Sequence, residues 1–209
     1  PFTIIIGGSK ISSKIDIIES LLDKADNLII VGGMCYTFLK AFGSPIGNSI
    51  YEPDMLDTAI NILKKAYHKG VNLILPVDSV CGDSFAPDAS MITVDSNSIP
   101  DGWMGMDIGS KTISRFSAVI KNSETILWNG PAGVFEFDRF TQGTRSLALC
   151  IAASTVSGAF SLVGGGDTIT AINKYGFRNF VSYISTGGGA MLEYLEGKTL
   201  PGIDALENN

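Results

Sequence analysis

Short apolar runs alternate with longer amphipathic stretches along most of the chain. The runs contain four or five residues, mostly Ile, Val and Leu, and such continuous runs are typical of strands buried on both faces of a parallel sheet. They predict six strands, at residues 2–6, 28–31, 71–75, 125–128, 160–163 and 181–184.

The amphipathic stretches predict helices at residues 14–23, 35–42, 57–69, 111–121, 141–155 and 168–175. Ser110 and Asp167 are expected as helix N-caps, and Gly43, Gly70 and Gly176 as the residues that follow helix ends. The alternation of strands and helices indicates right-handed crossovers on both faces of one sheet. We therefore expect an α/β fold, a three-layer α/β/α Rossmann-like domain with a six-stranded parallel sheet of order 3-2-1-4-5-6.

Two segments depart from this alternation. Residues 76–109 are rich in Asp, Ser, Pro and Gly, and we expect them to form a small excursion of loops and short strands. Residues 146–166 carry no charge over a length that would span a membrane, but they contain Ser154, Thr155 and Gly158 and end in three glycines. We interpret them as a buried helix, a turn and a buried strand, so no membrane partner is expected.

Composition narrows the class of protein. Hydrophobic residues make up 45% of the 209, which excludes a disordered chain, and the net charge of −6 argues against a nucleic-acid partner. The three cysteines form no CxxC pair, which fits a reducing compartment, and the only histidine, His68, leaves no histidine triad or multi-histidine metal site. The chain opens directly on a strand without Met, so we expect a fragment or one domain of a larger protein.

Glycine is over-represented, with 24 residues, and it clusters where predicted strands end. Four strands run into the clusters 7–8, 32–33, 164–166 and 187–189, and a fifth runs into the turn 129–131. Because the carboxyl ends of parallel strands meet at one edge of a sheet, these clusters are expected to line one crevice. Glycine permits close backbone approach, and the helix N-termini that follow favour anions such as phosphate.

The clusters do not match the common nucleotide signatures. Neither GxxxxGK[ST] nor GxGxxG occurs, and Gly32 and Gly33 stand where a nicotinamide enzyme commonly carries its acidic residue. A phosphate-rich mononucleotide is the favoured ligand, and a nicotinamide enzyme remains the alternative.

A few charged residues accompany the glycines. Lys10 and Lys14 have the i, i+4 spacing of one face of the first helix, where they would hold phosphates or simply be solvated. Asp167 follows three glycines and would cap its helix, hold Mg²⁺ against nucleotide phosphates, or do both. Glu136 is a candidate for a ribose hydroxyl, or an ordinary surface carboxylate.

Taken together, these motifs resemble the C-terminal, nucleotide-binding domain of the phosphoglycerate kinases over essentially the whole chain, residues 1–209. The matching segments are 7–10 (GGSK), 31–34 (VGGM), 75–78 (LPVD), 100–107 (PDGWMGMD), 128–136 (WNGPAGVFE), 164–168 (GGGDT) and 185–190 (STGGGA).

The resemblance implies a cytoplasmic, monomeric glycolytic enzyme that transfers a phosphoryl group reversibly between 1,3-bisphosphoglycerate and Mg-ADP, giving 3-phosphoglycerate and Mg-ATP. The family's N-terminal domain, which holds the phosphoglycerate, is absent from this chain, so the chain alone is expected to bind nucleotide without turnover. A stand-alone or degenerate nucleotide-binding module is the alternative, although a mere scaffold has no physical need for Lys10, Lys14 and Asp167 together.

The resemblance also implies site residues. Lys10 would neutralise the phosphoryl group in flight, Gly188 and Gly189 would meet that group, and Asp167 would approach Mg²⁺. The other implied nucleotide-binding residues are Gly8, Ser9 and Gly165; Lys14, Asn129, Gly166 and Thr168 at the phosphates; Pro131, Val134 and Glu136 at the ribose; and Gly32, Gly33, Ile50, Gly105 and Met106 at the adenine.

Two departures from the family pattern concern this site. Ser13 stands where family members usually carry Asp near the metal-nucleotide, and Met191 replaces a usual Ser, removing a hydroxyl near the phosphoryl path.

Overall fold

The computed structural model describes residues 1–207, in which helices flank a parallel β-sheet and a smaller sheet is attached to it. In chain order its strands and α-helices are β1 (Phe2–Ile6), α1 (Ile15–Leu21), β2 (Asn27–Ile30), α2 (Met34–Ala41), α3 (Leu56–His68), β3 (Asn72–Ile74), β4 (Asp78–Gly82), β5 (Met91–Asp95), β6 (Met104–Ile108), α4 (Ser110–Lys121), β7 (Thr125–Asn129), α5 (Gln142–Val156), β8 (Phe160–Gly164), α6 (Gly166–Lys174), β9 (Tyr183–Ser185), α7 (Gly189–Leu195) and α8 (Pro201–Glu207).

The larger sheet has six parallel strands in the order β3-β2-β1-β7-β8-β9. Counting only these strands, the order is 3-2-1-4-5-6, so the predicted topology is confirmed. Apolar runs such as Ile4-Ile5-Ile6 occupy its centre because both faces of the sheet are covered, and side chains that alternate in direction are all buried.

The sheet separates two hydrophobic cores. In the first core, on one face, Ile4 and Ile6 of β1 pack with residues of α1, α2 and α3. In the second core, on the other face, Ile5 packs with residues of α4, α5 and α6 and with the fully buried Trp128, its register partner on β7. Both sheet faces are therefore sealed, and only the sheet edges are left for ligands.

Residues 76–109 form the predicted excursion, which is a three-stranded antiparallel sheet in the order β5-β4-β6. One of its links to the main domain is Asp78, a buried carboxylate at the start of β4. Asp78 accepts hydrogen bonds from the backbone N–H groups of Lys111 (3.0 Å) and Thr112 (2.7 Å), in the first turn of α4. The excursion therefore caps a helix of the main domain.

Both predicted N-caps are wrong. Ser110 is the first residue of α4, whose N-cap is Gly109, and the carboxylate of Asp78 already satisfies the first-turn amides. Asp167 is the second residue of α6, because Gly165, with φ of +92°, turns the chain into the helix earlier. Gly43, Gly70 and Gly176 follow helix ends at positive φ, as predicted.

The prediction that Lys10 and Lys14 share a face of the first helix is wrong. The helix α1 begins at Ile15, one residue after the predicted start, so Lys14 lies directly before it and Lys10 lies in the preceding loop. The uncharged segment 146–166 forms part of α5, a turn at Gly158 and β8, as predicted. Within the described residues, we find no helix with the length and apolar character needed to cross a membrane.

Candidate functional site

A cleft runs along the carboxyl edge of the parallel sheet, where β1, β2, β7 and β8 end. It has two adjoining sections, of about 320 and 360 Å³, which share Gly8, Ser9, Pro131 and Asp167. We call them the apolar section and the glycine-rich section. The glycine clusters predicted to meet at one edge contribute to this one continuous cleft.

The apolar section lies between α2, the excursion and the loop after β7. Its lining beyond the shared residues consists of Gly32, Gly33, Tyr36, Ile50, Phe85, Gly105, Met106, Ala132, Gly133, Val134 and Glu136. A side chain at Gly105 would overlap the Tyr36 ring, so the backbone of β6 lies directly against that ring. The Met106 carbonyl accepts a hydrogen bond from the Val134 N–H (2.8 Å), which joins two walls of this section.

The glycine-rich section lies between α1, α6 and α7. Its lining beyond the shared residues consists of Gly7, Ser13, Lys14, Asn129, Gly130, Gly165, Gly166, Thr168, Gly188, Gly189 and Leu192. First-turn N–H groups of a helix such as α6 have no acceptor within the helix, so the chain there offers donors to an anion.

Lys14 is the cation of the glycine-rich section. Its ammonium donates hydrogen bonds to the Gly7 carbonyl (2.7 Å), the Asn129 carbonyl (3.2 Å) and the Asn129 side-chain Oδ1 (2.5 Å). Burial lowers the pKa of Lys14 to about 8, while the negative charge of Asp167 opposes that shift. An anion bound beside Lys14 would supply the missing counter-charge.

Two polar side chains, Asn129 at the end of β7 and Thr168 in α6, hold the segments around the glycine-rich section together. Asn129 accepts the Lys14 hydrogen bond, and its Nδ2 donates to the Gly164 carbonyl (3.0 Å). The Thr168 hydroxyl accepts from the Gly130 N–H (2.7 Å). Both are largely buried and line the glycine-rich section, where they connect the end of β7 to Lys14, β8 and α6.

Six glycines of the cleft form two groups with different surroundings. Gly7, Gly32 and Gly130 touch neighbouring backbone, and a Cβ on any of them would overlap main-chain atoms of the adjoining loop. We call these contacts the backbone seam. Gly166, Gly188 and Gly189 instead face open space, with no atom within 4 Å of a Cβ built there. The first group allows the loops to pack together, and the second leaves room for a ligand.

Asp167 is the carboxylate that both sections share, and it lies exposed in the first turn of α6. Among the described residues, no group of three His, Cys, Asp or Glu side chains forms a metal site. Mg²⁺ is commonly held by one or two carboxylates together with substrate phosphates, and this donor set fits that arrangement.

Lys10 is the predicted site residue that lies outside the lining of both sections. It is exposed in the loop before α1, and its positive charge acts on the Glu52 carboxyl. Ser13 does line the glycine-rich section, and its hydroxyl donates to the Lys10 carbonyl (2.9 Å). Met191 is half-buried, and its side chain lies against Gly164 and packs against the first core.

Sequence reasoning missed Tyr36, Phe85 and Thr144. Tyr36 looked like an ordinary apolar position of a buried helix, and Phe85 lies in the irregular excursion. The Thr144 hydroxyl accepts from the Ala132 N–H (3.0 Å) and thereby holds the loop that lines the apolar section. No local pattern distinguishes these residues, because each is placed by a distant element.

Comparison with known proteins agrees with this geometry. The family model described as phosphoglycerate kinase matches residues 1–198. Phosphoglycerate kinases of Porphyromonas gingivalis and Synechococcus sp. are 58% and 52% identical, covering 99% and 100% of this chain and 50% and 52% of their own lengths. The structure of phosphoglycerate kinase from Coxiella burnetii matches with a TM-score of 0.95 and 45% identity, over 100% of this chain and 53% of that one.

The chain therefore spans about half the length of the relatives it matches. The match includes the segments that line both sections of the cleft and extends over nearly all of the chain. From its sequence and its fold, the chain belongs to the phosphoglycerate kinase family.

Proposed function

We propose that this chain is the nucleotide-binding half of a phosphoglycerate kinase. The observation that carries the proposal is the continuity of the cleft, in which an apolar slot opens into a section with glycine backbone, Lys14 and a helix N-terminus. This arrangement suits a nucleotide, whose base has flat aromatic faces and whose phosphates are anionic. The base would lie against Tyr36 and Met106, and the phosphates would lie between Lys14 and α6.

The proposed reaction moves a phosphoryl group between the acyl phosphate of 1,3-bisphosphoglycerate and ADP. An oxygen of the ADP β-phosphate attacks the acyl phosphorus, and a new P–O bond forms. The bond from phosphorus to the carboxyl oxygen breaks, and the carboxylate of 3-phosphoglycerate leaves. Neither a protein nucleophile nor a general base is required, so the demands on the protein are positioning and charge neutralisation.

The residues of this chain would meet those demands on the nucleotide side of the reaction. Lys14 would neutralise phosphate oxygens, and the open backbone of Gly188 and Gly189 would admit the transferring group. Asp167 would hold Mg²⁺ together with the nucleotide phosphates, and that ion would reduce the charge on the oxygens. Lys10 would act from the adjoining loop. The acid substrate would be held by a domain outside residues 1–209, and we propose a cytoplasmic monomer.

The test compares binding with turnover. The 209-residue chain is titrated calorimetrically with Mg-ADP, and its phosphoryl transfer to 3-phosphoglycerate from Mg-ATP is followed in a coupled assay. We expect binding without turnover, because an unplaced second reactant forfeits an effective-molarity contribution of ~7–11 kcal/mol.

The matched comparison is the same chain joined to a phosphoglycerate-binding N-terminal half, which is expected to turn over. Absence of Mg-ADP binding by the chain would refute the nucleotide-binding assignment. Substantial turnover by the chain alone would refute the two-domain assignment.

A further inference from the structure

Glu52 lies outside the lining of the cleft, in the segment between α2 and α3, but its carboxylate reaches the loop between β1 and α1. One oxygen accepts hydrogen bonds from the backbone N–H groups of Ile11 (2.6 Å) and Ser12 (3.2 Å), and the other accepts from the Ser12 hydroxyl. Hydrogen bonds to a charged acceptor are stronger than neutral ones, so this is a firm attachment between two elements distant in sequence.

The attached residues form a turn between Lys10 and Lys14. The Lys14 N–H donates to the Ile11 carbonyl (2.8 Å), and the Ser13 hydroxyl donates to the Lys10 carbonyl (2.9 Å). The turn therefore has its own internal hydrogen bonds, and Glu52 fixes its position relative to the rest of the domain. We call residues 10–14 the lysine turn.

The other end of the attachment reaches the apolar section. The Glu52 N–H donates to the buried Thr37 hydroxyl on α2 (3.1 Å), so the backbone at Glu52 is held against the domain. Two residues earlier, Ile50 lines the apolar section and packs so closely over Gly33 that a Cβ there would lie 2.7 Å from Ile50 Cγ2. One short segment thus touches both the base end of the cleft and the lysine turn.

The electrostatics agree with a charged attachment. Partial burial opposes ionisation of Glu52, but hydrogen bonds from Ser12 and Ile11 and the positive charge of Lys10 outweigh it and lower the pKa of the carboxyl. Glu52 is therefore ionised at neutral pH, in the state that binds the lysine turn most strongly.

We propose that Glu52 is a positioning residue that holds Lys10 and Lys14 in register with the wall of the apolar section. This inference rests on the proposed nucleotide-binding function. Its consequence is that removing Glu52 weakens the contribution of the phosphates to binding, while the contribution of the nucleoside is kept.

The experiment measures adenosine and Mg-ADP affinities by calorimetry for the 209-residue chain and for the Glu52→Gln and Glu52→Ala variants. Gln keeps one acceptor oxygen but presents an amide N–H₂ to donors, whereas Ala removes the attachment. We expect adenosine affinity to stay within about twofold and Mg-ADP affinity to fall about tenfold in Glu52→Ala, which corresponds to ~1.4 kcal/mol, with a smaller loss in Glu52→Gln. The matched control is Asp54→Asn, which removes a negative charge from an exposed side chain of the same segment.

Amide hydrogen exchange supplies a second measurement, because Ile11 and Ser12 should exchange faster in both Glu52 variants and not in Asp54→Asn. Equal losses of adenosine and Mg-ADP affinity would show a general structural role and overturn the proposal, as would Mg-ADP affinity that is unchanged in folded Glu52→Ala. If Glu52→Ala does not fold, the comparison of the Mg-ADP and adenosine affinity losses in Glu52→Gln decides in its place. Failure of the unaltered chain to bind Mg-ADP would instead refute the proposed function.

Discussion

At the scale of single residues, Lys14 has the most unusual environment in the cleft. Its ammonium is held by two backbone carbonyls and one amide oxygen, none of which carries a full negative charge. Burial without a directly bonded counter-charge lowers its pKa to about 8, even though Asp167 opposes the shift. The site therefore holds a cation that gains stability when an anion arrives.

This environment predicts a pH dependence of nucleotide binding. Bound phosphates raise the pKa of Lys14, so binding above pH 8 requires proton uptake, and Mg-ADP affinity should fall by up to about tenfold per pH unit there. Below pH 7 the affinity should not depend on Lys14 titration. Calorimetry in buffers of different ionisation heats measures the proton uptake directly, and Lys14→Arg, which stays charged, should abolish it. Binding without proton uptake at pH 8.5 would contradict this assignment.

A prediction for Asp167 distinguishes a role in metal binding from a role in the stability of the fold. Asp167 is not the N-cap of α6, so Asp167→Ala should change the free energy of unfolding little. The expected loss is less than about 1 kcal/mol, because the variant loses only the attraction between the carboxylate and the helix N-terminus. The same variant should weaken Mg-ADP far more than metal-free ADP. Titrations with and without Mg²⁺ on the folded variant measure the difference, and equal losses in the two series would remove Asp167 from the metal site.

At the scale of elements, the sequence predicted strands better than helix starts. The strand predicted at residues 2–6 is confirmed as β1, because a continuous run of Ile is in itself the sequence pattern of a strand buried on both faces. The predicted N-cap of α4 was wrong because the carboxylate that accepts from its first-turn N–H groups belongs to Asp78, which lies 34 residues before Thr112 in the sequence. The glycine clusters predicted the cleft, but Tyr36, Phe85 and Glu52 owe their places to tertiary packing, which no local pattern contains.

Asp107 joins two elements and gives a prediction about stability. Its buried carboxylate accepts hydrogen bonds from the N–H groups of Ile108 (2.9 Å) and Gly143 (2.7 Å), which attaches β6 to the start of α5. Burial raises the pKa of Asp107 from 3.8 to about 7, and these hydrogen bonds oppose the shift only partly. The folded protein therefore binds this proton more tightly than the unfolded chain does, so the Asp107 contribution to stability falls as pH rises from about 4 to about 7.

The predicted loss of the Asp107 contribution at higher pH is measured by urea unfolding of the unaltered chain and of Asp107→Asn at pH 5 and pH 8. The stability of the unaltered chain relative to the variant should be higher at pH 5 than at pH 8, because the amide of Asn does not titrate. Asp101→Asn, at an exposed position of the excursion, is the control and should leave the pH dependence unchanged. Parallel pH profiles for Asp107→Asn and the unaltered chain would contradict the assignment.

At the scale of the whole molecule, the cleft is lined by loops from both sides of the strand β1 in the sheet. Its lining comes from the β2 side and from the β7 and β8 side, and it includes Tyr36 of one hydrophobic core and Ala132 of the other. A ligand in the cleft therefore contacts loops supported by both cores, so its binding energy should stabilise the domain as one unit.

The expected result is that Mg-ADP at 100 times its Kd raises the free energy of unfolding by ~2.7 kcal/mol. Trp103 packs against the first core and Trp128 lies in the second, so tryptophan fluorescence and far-UV circular dichroism should move together. MgCl₂ without nucleotide is the control. A shift in one signal alone would show that the ligand stabilises only part of the domain.

The backbone seam of Gly7, Gly32 and Gly130 has a consequence for evolutionary change. Because main chain packs on main chain there, the loops meet at the seam without side chains that mutation could vary, and a side chain added at any of these glycines would separate them. The apolar section is different, since Tyr36, Phe85 and Met106 are side chains that a single nucleotide change in the gene can replace. Under the nucleotide-binding function proposed above, we therefore expect the preference among bases to change more easily in evolution than the arrangement of the loops at the seam.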